Sequence, residues 1–68
     1  MKYDIIAALV KDCHAKIAVA KMNVYILLNN PVGVGDHPNV MGTIQDELDI
    51  ISQNQGRLSV LQEEFKGD

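Results

Sequence analysis

From Asp4 to Asn29 the chain carries neither glycine nor proline, and its apolar residues Ile6, Val10, Cys13, Ile17, Ala20, Val24 and Leu27 recur at alternating steps of four and three. That period is a heptad seam, which a helix presents along one face and a strand cannot. Leu9 and Leu28 widen the stripe, as suits a helix packing in a hairpin rather than a strict two-stranded zipper. Pro31 denies Asn30 the α conformation, so the first helix is expected to span about 4–29 and a loop to follow over 30–36.

A second helix is expected over about 37–66. Asp36 suits an N-cap and Pro38 the first turn, where a missing N–H costs nothing. Its apolar row reads Met41, Ile44, Leu48, Ile51, Leu58, Leu61 and Phe65, with Gln55 as the polar interruption. Gly42 and Gly56 each cost about 1 kcal/mol relative to Ala in a helix interior, which marks Gln55–Gly56 as a place for a bend. Gly67 suits a C-terminal stop. Two helices of matched length define an all-α, antiparallel two-helix hairpin, a single domain over residues 1–68.

The first helix has a second apolar line. At about 100° per residue, Ala8, Ala15, Val19, Met22 and Ile26 fall roughly opposite the main seam. One partner helix covers one face only, so these five residues are the expected oligomer interface, and the hairpin is expected to pair into a homodimeric four-helix bundle. Size points the same way. A chain of 68 residues buries only about 60% of the surface its unfolded form exposes, and short chains need disulfides, a metal, idealised packing or self-association. Cys13 is the only cysteine, so an internal disulfide is impossible. His14 and His37 lack the spacing that sets two ligands on one helix face, and no metal or other cofactor is expected.

A net charge of −3 and a single Arg argue against a grip on nucleic acid, which needs clustered cations. The longest apolar runs, Ile5 to Val10 and Val24 to Leu28, are far short of the ~20 residues that span a bilayer, so no membrane partner is expected. The opening MKYDII lacks separate charged, apolar and cleavage regions. A cytoplasmic location is therefore the expectation. Residues 1–30 carry +2 and residues 31–68 carry −5, which favours antiparallel contact between the halves.

The stretch "NNPVGVGDHP" offers Gly-x-Gly, but it lacks a preceding strand, the third glycine, and the Lys and Ser/Thr of a phosphate loop. It is read as a turn in which Gly33 and Gly35 allow positive φ and Val32 and Val34 fold onto the bundle end. Cys13 reads as a small buried hydrophobe, with His14 directed about 100° away on the helix. Asp46, Glu47, Asp49, Glu63 and Glu64 lie on the polar side of the second helix and do not converge as an acid–base pair must. No catalytic residue is nominated, and the protein is not expected to be an enzyme. Val32, Val34 and His37 exceed what a turn requires and are the loop's candidate partner contacts.

"NNPVGVGDHPNVMGTIQDELDII" followed by "LSVL" resembles small uncharacterised helical proteins of marine tailed bacteriophages, in which a helix ends in Asn-Pro-Val-Gly-Val-Gly-(Asp/Glu)-His-Pro and a second, acidic helix follows. The resemblance covers about residues 22–62 and is most specific over Pro31 to Pro38. It implies a phage setting, a helical hairpin and no mechanism. The expected function is a non-catalytic, self-associating structural or assembly component in the host cytoplasm or associated with the virion. The alternative is a regulatory binder that inhibits or modulates a host or phage protein through a helix face.

Overall fold

In the computed structural model, which describes residues 1–29 and 39–65, two α-helices pack side by side, α1 over Lys2–Asn29 and α2 over Val40–Glu64. Their 28 and 25 residues make rods of about 42 Å and 38 Å at ~1.5 Å per residue. No strand occurs among the described residues.

α1 begins slightly before its expected start, because the Met1 carbonyl already accepts from the Ile5 amide at 3.0 Å. Asp4 in the first turn suits the positive end of the helix dipole. At the other end the Asn29 side chain donates to the Tyr25 carbonyl at 2.8 Å, one turn back along the helix.

α2 starts at Val40 rather than near residue 37, and its cap is Asn39. The Asn39 side-chain oxygen accepts from the Gly42 amide at 3.0 Å, while its carbonyl accepts from both the amide and the hydroxyl of Thr43 at 3.1 Å. Asp36, the residue expected to cap, lies outside the described residues. Gly42 has a local reason: a Cβ there would fall under 3.0 Å from the Asn39 side-chain amide. The helix runs unbroken through Gln55 and Gly56.

The α1 seam is the expected one. Cys13, Ile17 and Ala20 are buried, and Ile6, Val10, Val24 and Leu27 are half-buried on either side of them. The α2 seam is turned from the expected one. Ile44, Ile51, Leu58 and Leu61 do face inward, but the positions between them are Val40, Glu47 and Asn54, while Met41, Leu48, Gln55 and Phe65 are exposed. Moving the intervening position back by one residue turns the contact face by about 50°, half of one residue's rotation. One interaction crosses to the turned face: Asn23 donates to Glu47 across the helix pair at 3.1 Å, while Asn54 donates within α2 to the Ile50 carbonyl at 2.8 Å.

The running order is antiparallel, since Asn23 meets Glu47 while Leu9 lies beside Val60 and Leu61. The result is a rod 53 × 15 × 13 Å with its fully buried residues confined to the middle of one seam.

The two helical glycines separate propensity from capping. At Gly56 a Cβ meets nothing within 4 Å, so Gly56→Ala should raise stability by about 0.5–1 kcal/mol. Gly42→Ala gains the same propensity but displaces the Asn39 cap, whose loss costs about 0.5–2 kcal/mol, so thermal unfolding followed by circular dichroism should show no gain or a loss. Equal shifts for both variants would refute the role given to Gly42.

Candidate interaction surface

Two features stand out on the surface of the hairpin, and both are partly apolar. The first is the side of α1 turned away from α2. Val19, Met22 and Ile26 are 61%, 58% and 56% exposed there, and Ala8 and Ala15 are exposed with them. Ile5, also exposed, extends the row. With Asp12 included, positions 5, 8, 12, 15, 19, 22 and 26 alternate steps of three and four without a break. α1 therefore carries two complete heptad seams, of which α2 covers one. Ile5 was missed in the sequence reading, although the spacing alone would have added it. Asp12 is the single charged member, and its carboxylate is held at 2.8 Å by Lys16 one turn on, both side chains being about half exposed.

The second feature is an open groove along one side of the hairpin. One stretch is walled by Val19 and Asn23 of α1 and by Ile50 and Gln53 of α2, with Ala20 and Asn54 deeper in. The other is walled by Leu9, Asp12 and Val60, with Cys13 and Leu61 deeper in. Lys16 and Arg57 line both stretches and form a cationic waist between them.

Asn54 is the most unusual residue of this groove. Its side chain is 1% exposed, its Nδ2 donates to the Ile50 carbonyl at 2.8 Å, and its Oδ1 is buried without a hydrogen-bond partner. An unmet buried acceptor costs about 1–3 kcal/mol. Nearby, Glu47 is spared that cost by Asn23, whose amide reaches it at 3.1 Å.

The five α1 residues nominated as an interface thus share one exposed face, and Ala15 and Val19 also reach the groove rim. Val32, Val34 and His37 lie outside the described residues. Cys13 is buried in the seam. Asp46, Asp49, Glu63 and Glu64 are exposed along α2, and only Glu47 is drawn towards α1. No group of three or more metal-ligating side chains occurs among the described residues. No helix there is long and apolar enough to cross a membrane. Comparison with protein-family models, with curated proteins and with solved structures found no match to this chain.

The unmet acceptor gives a direct test. Asn54→Leu removes it and fills the same seam position with apolar volume, so the variant should unfold in denaturant at higher stability by about 1–2 kcal/mol. Asn54→Ala, which leaves a cavity, should not share the gain. A Leu variant less stable than the natural protein would mean that Oδ1 is satisfied in solution.

Proposed function

We propose that this protein is a non-catalytic, self-associating helical hairpin that serves as a structural or assembly component of a tailed bacteriophage, within the host cytoplasm or on the virion. The observation that carries the reading is the imbalance between what the hairpin buries and what it leaves out. Among the described residues three apolar side chains are buried, whereas fourteen large hydrophobic side chains are exposed. Exposed apolar surface on that scale marks an interaction surface. The hairpin also exposes 5284 Å², whereas a compact monomer of 7.5 kDa exposes about 4,250 Å². The excess, about 1,000 Å², is comparable to the ~800 Å² that each partner buries in a standard interface.

A homodimeric four-helix bundle is the simplest assembly that removes this excess, with the Ala8, Ala15, Val19, Met22 and Ile26 face turned to the partner. The phage setting rests on the resemblance of the Pro31–Pro38 stretch. Several described polar side chains have structural partners: Asn39 caps a helix, Asn29 and Asn54 bond to backbone, and Asn23 and Glu47 bond to each other.

The groove supports a second reading, a regulatory binder of a host or phage protein. Its apolar walls and Lys16–Arg57 waist suit an amphipathic helix with an acidic residue at its centre.

Light scattering at micromolar concentration should give the mass of a dimer or larger. Val19→Glu with Met22→Glu should reduce it to a monomer, since each change buries a charge in the proposed interface. An assembly component should also be present at high copy in purified particles, whereas a regulator should be absent from particles and co-purify with its target from infected cells. A monomeric natural protein would overturn the first reading.

A further inference from the structure

We propose that the outer face of α1 is covered by the same face of a second copy, with the two α1 helices antiparallel and residues whose numbers sum to 34 placed opposite one another. This rests on the self-association proposed above, to which it adds orientation and register.

The argument begins with the size gradient along the exposed row. Beyond Ile5 at its very start, its N-terminal half holds Ala8, Asp12 and Ala15, all small or short, and its C-terminal half holds Val19, Met22 and Ile26. Reversed end to end, the row becomes its own complement. In an antiparallel heptad seam, Ala8 of one copy faces Ile26 of the other, Ala15 faces Val19, and Asp12 faces Met22. Each of these layers then holds one small or short and one large side chain, which is how facing positions fill space at native density, while Ile5 falls opposite Asn29 at the helix ends. A two-fold axis generates each such layer twice, as an isologous contact requires.

The parallel alternative fails on two counts. It stacks Ala8 on Ala8 and Ala15 on Ala15, leaving gaps, while Met22 and Ile26 crowd the other end. It also sets Asp12 against Asp12, two like charges in one layer. Antiparallel packing separates these carboxylates, and each keeps its own Lys16 at 2.8 Å on the groove side of the row. A self-complementary row identifies the occupant as a second copy, and the surface excess of about 1,000 Å² over a compact monomer matches what one copy must bury.

Cross-linking tests orientation directly. Ala15→Cys and Val19→Cys are made separately with Cys13 retained, since at 3% exposure its thiol is shielded. Mixed and oxidised under air, the two variants should give mainly the 15–19 disulfide, assigned by peptide mass. Self-linked Val19→Cys dimers in excess would establish the parallel arrangement and overturn the proposal. A volume exchange provides a second reading that needs no thiol. Val19→Ala alone should weaken association by about tenfold or more, and Ala15→Val combined with Val19→Ala should restore most of it. A double variant as weak as the single one would also overturn the register. Light scattering on the natural protein keeps the two hypotheses apart: a monomer overturns self-association itself, whereas a dimer with parallel cross-links overturns only the orientation.

Discussion

Everything in this hairpin depends on one seam between two helices. A helix offers its neighbour a stripe about a third of its circumference wide, so a pair of helices covers one stripe on each and nothing more. Along α1 the covered stripe closes fully only where Cys13, Ile17 and Ala20 meet α2, and it opens towards both ends, where Ile6 and Leu27 are half-buried. Two of these three central residues are small. Small side chains let helix axes approach, and close approach excludes water from the middle of the seam even though the rod is only 13–15 Å across.

The seam is not optimised for stability alone. Val40, Ile44, Ile51, Leu58 and Leu61 provide the apolar part of the α2 face, but Glu47 and Asn54 share it, although Leu48 lies next to Glu47 on the outside. A face built on Met41 and Leu48 would bury more hydrocarbon. What the polar residues add is definition. Asn23 and Glu47 meet at one level of the hairpin only, and a slip by one turn breaks their bond and leaves Glu47 half-buried and unpaired. Asn54 acts in the same direction, because a buried amide tolerates few surroundings. Sacrificing some burial for a single register is the known use of a polar residue on a helical seam.

The sequence made the α1 seam legible residue for residue, since an unbroken heptad in a segment free of glycine and proline admits one helical face. α2 was harder because two rows share Ile44, Ile51, Leu58 and Leu61. Ranking them by hydrophobicity favours Met41 and Leu48 and selects the wrong row. Ranking by regularity selects the right one: 40, 44, 47, 51, 54, 58 and 61 alternate fours and threes throughout, whereas the row through Gln55 breaks step between Gln55 and Leu61. The α2 start was misplaced because Asp36 and Asn39 are both good caps, and the room that Gly42 leaves for the Asn39 side chain is a tertiary detail. On the outer face of α1 the five nominated residues were legible from the same period that defines the seam. The groove was not, because its walls belong half to each helix and depend on how far α2 is turned.

Folding and assembly are linked by this arrangement. Fully burying a Val, Leu, Ile, Phe or Met side chain stabilises a fold by about 1.5–3 kcal/mol, and among the described residues Ile17 is the only one of these that is buried. Ordering each residue costs about 1–2 kcal/mol of backbone entropy. Helix hydrogen bonds and half-buried contacts offset most of that cost, but a margin drawn from one seam is thin. Covering the second heptad of α1 would add apolar burial along nearly its whole length without ordering any further chain, since the helix that carries it is already formed. Stability would then rise with protein concentration, as it does wherever a partner binds the folded state and not the unfolded one. For an assembly component that coupling would be an advantage, because the chain would acquire its full stability only where enough copies were present to assemble.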